Sequence, residues 1–330
     1  MSKIIAIVGP TGVGKSAIAQ KLALHRGASI LSADSMQVYR GMDIGTAKVR
    51  PCEQLVPHFG IDLVDPTHSY SAAEYQAYAR HIIECETLQR EGTAPIVCGG
   101  TGLYLRAALD DFTFPEQAQN EEQSIPQLNE IRQRYEVHYA QLITEYGADN
   151  PESSTRVAQE IHGILAQRDA QAAALIHPNN LRRTIRALEL NAAGQSYADI
   201  KQAFKKRKGY YPTHWIGINC NRELLYHRID QRVDAMIAQG LLEEVRGLLS
   251  AGYRQALTAT QAIGYKELVP AIEKDEDLDT AVAAIKQATR RYAKRQLSWF
   301  RSDPRVQWVL YDEYVADNIT ARVTALIDKA

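Results

Sequence analysis

KIIAIVGPTGVGKS, residues Lys3 to Ser16, is the stretch from which the rest of the chain is read. The apolar run Ile4 to Val8 reads as a buried strand. It leads directly into Gly9-Pro10-Thr11-Gly12-Val13-Gly14-Lys15-Ser16, the G-x-x-x-x-G-K-[ST] spacing of a phosphate-binding loop. Ala17 to Leu24 then reads as a helix. The glycines let successive backbone N–H groups turn inward, and the helix start adds partial positive charge. Lys15 adds a full charge, and the Ser16 hydroxyl is placed to hold a magnesium ion. The loop alone calls for a di- or triphosphate, as in an ATP or GTP enzyme, and names neither the ligand nor the reaction.

Working outward, the chain has 330 residues, enough for one large or two modest domains. Hydrophobic residues make up 45% and charged residues 23%, ordinary for a soluble globular protein. No apolar run approaches the ~20 residues of a membrane span. The sequence enters a strand at once, so no secretory leader is expected. Cys52, Cys85, Cys98 and Cys220 form no C-x-x-C pair and read as reduced thiols of a cytoplasmic protein. A formal net charge of −1 excludes a uniformly basic nucleic-acid binder, so any such role rests on local patches. A monomer is the default expectation.

Ser29 to Ser32 reads as a short strand ending at Asp34-Ser35, which puts Asp34 on the rim of the phosphate loop. Asp34 is open to two readings, a chemical group or a turn cap. The segment Tyr39 to Lys48 is a loop, either a substrate-contacting lid or a solvated connection. Phe59 to Val64 reads as another strand, and its terminal Asp65 competes with Asp34 for a base or metal role. Ser71 with Glu74 has capping-box spacing ahead of a helix to Arg90. Pro95 to Cys98 is a further strand, followed by a second glycine turn, Gly99-Gly100-Thr101-Gly102. Short strands alternating with helices argue for a mostly parallel α/β sheet, phosphate-loop NTPase-like and flanked by helices.

From Phe114 to about Ala193 the strand signals stop. Ile125 to Tyr146, Ser154 to Arg168 and Asn180 to Ala193 read as helices punctuated by Pro115, Pro126, Pro151 and Pro178. The expected organisation is a catalytic core of 1–113 and 196–330 with an all-helical insertion over 114–195. Arg182, Arg183 and Arg186 share a helix turn there, and Lys201 to Lys208 carries five basic residues and no acid. Trp215 to Asn219 restores a strand, and Asn221 to Leu249 reads as one amphipathic helix. Ala281 to Arg301 is the most basic helix, and its apolar stripe of Thr289, Ala293, Leu297 and Phe300 turns Arg291, Lys294 and Arg295 elsewhere. Val306 to Leu310 is the last strand. Spacing alone leaves two classes open, a nucleotide-dependent kinase and a transferase whose loop holds a leaving pyrophosphate. No N-K-x-D motif supports a regulatory GTPase.

The chain resembles the bacterial tRNA dimethylallyltransferase family, also called isopentenyl-tRNA transferases. The likeness runs through GPTGVGKS (9–16), SADSMQVYRGMDIGTAK (32–48), HFGIDLVDPTHSYSAAEY (58–75), GGTGLY (99–104), HPNNLRRTIRALE (177–189), AIGYKE (262–267) and TRRYAKRQLSWFR (289–301). It implies transfer of a dimethylallyl group from dimethylallyl pyrophosphate to N6 of the tRNA adenosine immediately 3′ of the anticodon. It further implies that Gly9 to Ser16 bind pyrophosphate with Mg²⁺ on Ser16, that Asp34 is the general base, and that Thr101 bonds near the bridging oxygen. Asp34, Ser35, Met36 and Gln37 are the implied contacts to the target base, and Thr101 is a further implied tRNA contact. Arg182, Arg183, Arg186, Gly264, Tyr265, Lys266, Lys294, Arg295 and Gln296 are the implied contacts to the anticodon stem-loop, with the helical insertion as a tRNA-contacting domain. In this family an arginine often follows the GGTGLY helix. This chain has Gln119-Asn120-Glu121-Glu122-Gln123 there, so no such contact is assigned.

Overall fold

A short strand without a single polar residue needs cover on both faces, and Ile4–Val8 (β1) has it. The computed structural model describes residues 3–112, 114, 133–135, 137, 138, 141, 142, 144–146, 153–256, 258–274, 277–313 and 315–329. In it β1 lies inside a six-stranded sheet with β2 (Ile30–Ser32), β3 (His58–Phe59), β4 (Ile96–Gly99), β5 (Thr213–Cys220) and β6 (Val306–Tyr311). The order is β3-β2-β4-β1-β5-β6, and every pairing is parallel.

Alternate residues of β1 face opposite layers. Ile4, Ala6 and Val8 pack with Tyr75 and Ile83 of α2 (Ala72–Gln89) and Leu105 of α3 (Gly102–Leu109). Ile5 and Ile7 pack with Ile18 and Leu22 of α1 (Lys15–Arg26) and with Ile319 and Val323 of α12 (Ala316–Asp328). Full burial of a side chain such as Leu22 is worth about 1.5–3 kcal/mol, and a few dozen of them hold the layers together. Helix α2 begins with the expected capping box, Ser71 and Glu74 each satisfying the other's backbone N–H.

The chain divides into two units, one of 1–111 with 209–330 and one of 112–208. In the second, α4 (Ser153–Arg168), α5 (Ala170–Leu175) and α6 (Leu181–Ala192) bury Val157, Ile161, Leu165, Ala172 and Leu188 in a core of their own. Helix α7 (Tyr197–Lys205) groups with this unit, although the sequence reading assigned residues from 196 onward to the core. The helix expected over Ile125 to Tyr146 and the segment 119–123 lie largely or wholly outside the described residues.

Two sequence readings are revised. FGIDLV is not one strand. Pairing stops after Phe59 because Gly60 (φ 79°) and Asp62 (φ 54°) leave extended geometry, and only an isolated Tyr39–Val64 bridge resumes it. Asn221 to Leu249 is two helices, α8 (Arg222–Ala238) and α9 (Leu241–Ser250), parted at Gly240, whose φ of 99° cannot continue a helix. Two further helices are α10 (Val269–Glu273) and the basic α11 (Leu278–Arg301). No helix among the described residues is long and apolar enough to cross a membrane.

Candidate active site at the carboxyl rim of the sheet

Parallel register gathers the strand ends at one edge. Val8 pairs with Gly99, and Ser32 pairs with Cys98, so the segments after β1, β2 and β4 emerge side by side. Ala33 N–H donates to Cys98 O at 2.8 Å, and Thr101 N–H donates to Ala33 O at 3.1 Å. Gly99 is required there, since a Cβ would lie 2.1 Å from Ala33 O. The rim thus places Gly9 to Ser16, Asp34 to Gln37 and Thr101 around shared space.

In the phosphate loop Gly9, Pro10 and Val13 are buried, while Thr11, Gly12, Gly14 and Lys15 are partly open and Ser16 is exposed. Lys15 Nζ donates to Pro10 O at 2.7 Å. Burial pushes the Lys15 ammonium down to about 8, aided by Arg232 and opposed by Cys98 and Asp34. A lysine kept in so poor an environment for its charge is primed for an anion. Burial likewise pushes the neighbouring Cys98 thiol up to about 11, so it stays neutral.

Asp34 accepts the Met36 N–H at 2.9 Å, the expected turn-capping contact. That bond uses one carboxylate oxygen, and Asp34 also lines two cavities. One, about 70 Å³, is shared with Lys15, Ser16 and Arg232; the other, about 230 Å³, with Met36, Val233, Tyr292 and Arg295. The Asp34 charge acts on Lys15, Arg232 and Tyr292. Its rival Asp65 lies on the surface, paired with Arg40 at 3.2 Å, and lines neither cavity. Thr101 Oγ accepts the Ser35 N–H at 3.0 Å and lies 3.3 Å from Ser35 Oγ, which ties the Asp34–Ser35 turn to the second glycine turn. Gln37 joins Ser32 Oγ (2.8 Å) to Thr46 O (3.1 Å) and lines the smaller cavity.

Helices distant in sequence complete the site, and these residues were missed in the sequence reading. Arg228 and Arg232, four apart on α8, point at the loop. Arg228 Nε donates to Gly12 O at 2.9 Å, and both arginines line a third cavity of about 740 Å³ beside Gly12 to Ala17. Arg232 lines all three cavities, and burial lowers its pKa against the opposing pull of Asp34. The R-x-x-x-R spacing was the available signal, masked by the apolar stripe of the same helix. From α11, Tyr292 reaches the Thr101 and Gln296 side chains. Burial, then Asp34, pushes its phenol up to about 12, so it is a neutral hydroxyl.

Gly264 and Lys266 line the larger cavity beside Asp34, and Lys266 is exposed. Tyr265 is 0% exposed, and its hydroxyl donates to Glu244 at 2.6 Å. Glu244 also accepts the N–H groups of Asp43 (3.0 Å), Ile44 (2.8 Å) and Gly45 (3.2 Å). The 43–45 loop is therefore built on one carboxylate rather than free in solvent. Lys48 is tied to Tyr39 O, Asp43 and Asp62. Gln296 is 5% exposed, and its amide spans Thr11 and Gly100.

On α11, Lys286 and Arg290 pair with Asp234 (2.6 Å) and Asp230 (2.5 Å) of α8, while Arg291, Lys294 and Arg295 are exposed. In the helical unit, Arg182 and Arg183 are exposed in the first turn of α6, and Arg186 bonds buried Glu189 at 3.1 Å. Arginines at a helix start oppose its dipole, at about 0.3–1 kcal/mol each, and no acid offsets them in that turn.

For a divalent cation, the donors at hand are the Ser16 hydroxyl and the Asp34 carboxylate on one cavity. Among the described residues no group of three or more His, Cys, Asp or Glu forms a dedicated cage. That set fits a hard cation that takes most ligands from a diphosphate and water.

The IPP transferase family matches residues 37–303, and an isopentenyl transferase family matches residues 2–57. A tRNA dimethylallyltransferase of Geobacillus thermodenitrificans is 43% identical over 308 residues, 93% of this chain and 90% of that protein. The crystal structure of a tRNA delta(2)-isopentenylpyrophosphate transferase from Staphylococcus epidermidis covers 100% of this chain and 99% of its own, at 36% identity and TM-score 0.67. A eukaryotic dimethylallyltransferase acting on tRNA aligns over 100% of this chain and 80% of its own, with TM-score 0.74 and 25% identity. The rim geometry and these likenesses agree, and the chain belongs to the IPP transferase family, the tRNA dimethylallyltransferases.

Proposed function

We propose that the chain transfers a dimethylallyl group from dimethylallyl pyrophosphate to N6 of the adenosine 3′ of the anticodon in certain tRNAs, releasing pyrophosphate. The observation that carries this is the convergence of the phosphate loop and Asp34 on adjoining cavities, one of them partly apolar and lined by Met36, Val233, Met236 and Ile285, with Thr101 bonded to the Ser35 N–H beside them. An apolar wall suits a prenyl chain, and the polar rim suits the base that receives it.

In this reading Gly9 to Ser16 hold the diphosphate through backbone N–H groups and Lys15. Arg232 adds charge where the leaving oxygens become more negative. Ser16 and the diphosphate would hold Mg²⁺, which supplies further neutralisation of the leaving group when bound. The N6 nitrogen forms a bond to the allylic C1 as the C1–O bond breaks, and the electron pair leaves with the pyrophosphate. Asp34 receives the N6 proton. Thr101, already bonded to the Asp34–Ser35 turn, is set to donate near the bridging oxygen. Extruding the target base costs a few kcal/mol, offset by phosphate contacts from Lys294, Arg295 and Lys266 and from Arg182, Arg183 and Arg186 of the helical unit. Four free thiols suit a cytoplasmic setting.

The deciding experiment mixes purified protein, Mg²⁺, radiolabelled dimethylallyl pyrophosphate and an unmodified anticodon stem-loop. Label is expected on the RNA. Absence of label, with ATP-dependent phosphorylation of a small acceptor instead, overturns the reading.

A further inference from the structure

Gln296 lies on α11 two residues beyond Lys294, on a helix whose exposed face is basic, yet its own side chain points inward. Its Oε1 accepts the Thr11 N–H at 2.8 Å, and its Nε2 donates to Gly100 O at 3.0 Å. These partners belong to the two glycine turns of the site, the phosphate loop and the turn that carries Thr101. The backbone is shaped to receive the amide, because a Cβ on Gly100 would sit 2.1 Å from Gln296 Nε2. One turn earlier, Tyr292 touches both Gln296 and Thr101. Ile285, Ala293 and Phe300 on the same helix are buried and hold it in place.

We infer that Gln296 is a positioning residue for prenyl transfer, a clamp that sets the distance between the phosphate loop and the Thr101 turn. This rests on the function proposed above. The two turns act on one leaving group, the loop on its phosphates and Thr101 on its bridging oxygen. Their separation must be held within a fraction of an ångström for both to act at once. A primary amide offers an acceptor and a donor in one plane at the required span. Because the clamp sits on the helix that presents Arg291, Lys294 and Arg295, the pyrophosphate site is built partly by the element offered to the acceptor.

The test compares native protein with Gln296→Leu and Gln296→Glu, reading kcat at saturating stem-loop, stem-loop Kd, and Kd for inorganic pyrophosphate with Mg²⁺. Gln296→Leu is expected to lower kcat about 10–100-fold, the range for misplacement of reacting groups, with stem-loop Kd held within about twofold. Gln296→Glu keeps the acceptor for Thr11 and loses the donor to Gly100 until its carboxyl is protonated. Its kcat relative to native protein at each pH should therefore rise as pH is lowered from about 9 to 6, because burial raises a carboxyl pKa. If Gln296→Leu does not fold, Gln296→Glu alone decides through that profile. A stem-loop affinity lowered tenfold with kcat preserved would make Gln296 a tRNA contact and overturn the inference, as would a Gln296→Glu ratio flat with pH. Native protein that transfers no prenyl group would overturn the proposed function. The clamp would then still be read from pyrophosphate Kd, expected to weaken in Gln296→Leu and refuted if unchanged.

Discussion

Arg228 donates its Nε–H to the carbonyl oxygen of Gly12 at 2.9 Å, a bond between residues 216 positions apart that fastens α8 to the phosphate loop. One turn on, Arg232 lines the cavity that Lys15 and Asp34 share. The two arginines therefore have separable duties. Arg232→Gln should lower kcat/KM for the prenyl donor about 10²-fold, the usual loss of one charge-stabilising donor, with stem-loop Kd unchanged. Arg228→Gln should mainly raise KM for the donor. Steady-state kinetics against both substrates checks the split, and an equal loss in stem-loop affinity would remove Arg232 from the pyrophosphate site.

Lys15 should make donor binding pH-sensitive. Its folded-state pKa is lowered to about 8 from 10.5, chiefly by burial. The ligand-free enzyme thus loses the Lys15 charge as pH rises through about 8, and pyrophosphate Kd should weaken over that range. For stability the sign is opposite. Between about 8 and 10.5 the unfolded chain binds the proton more readily, so Lys15 favours folding as pH rises and opposes it below 8. Lys15→Met should abolish transfer and raise ligand-free stability by on the order of a few kcal/mol near neutral pH. Thermal melts without ligand measure this, and a lowered melting temperature would contradict it.

Asp34→Asn is the cleanest probe of the proposed base, because an Asn Oδ1 can keep the acceptor role toward the Met36 N–H. Turnover should fall about 10²–10⁴-fold, with stem-loop and pyrophosphate binding nearly intact. Collapse of stem-loop binding would make Asp34 a recognition group. Asp65→Asn, on the surface beside Arg40, should leave turnover within about twofold, as surface substitutions usually do.

Tyr265 and Glu244 test support against contact. Tyr265→Phe removes one hydrogen bond from a fully buried ring, which should cost about 1 kcal/mol of stability. Glu244→Ala leaves three backbone N–H groups and a phenol without their acceptor and should cost several times more. Chemical denaturation reads both. Stem-loop Kd should not move for Tyr265→Phe, and a tenfold loss would show its hydroxyl to be a tRNA contact.

Salt dependence separates the cations of α11. Single-stranded contacts contribute a slope of about −0.7 in log K against log salt per phosphate. Arg295→Ala and Lys294→Ala should each reduce the magnitude of the slope by about one contact. Arg290→Ala, whose partner Asp230 is 2.5 Å away, should reduce it less. Equal changes for all three would show that the ion pairs open on binding.

The architecture was largely legible from the chain. Short all-apolar strands with glycine turns after β1 and β4 are local signals, and each reports backbone geometry settled within a few residues. Where a single residue broke the geometry, at Gly60, Asp62 and Gly240, the pattern misled, because hydrophobicity carries no record of φ. Asp34 and Thr101 were legible as rim residues since a parallel sheet puts all strand ends on one side.

By itself, then, the sequence determined the phosphate loop, the parallel sheet and the two groups on its rim, all of them consequences of near-neighbour periodicity and turn chemistry. Tertiary structure decided which candidates face the cavity and which serve the scaffold. It set Asp34 against Asp65, exposed Arg295 against paired Arg290, and buried Tyr265 against exposed Lys266. It also brought Arg228 and Gln296 to the loop from 216 and 285 residues away. Such contacts have no local signature, because they exist only once the helices pack on the sheet and bury the polar groups that must then find partners.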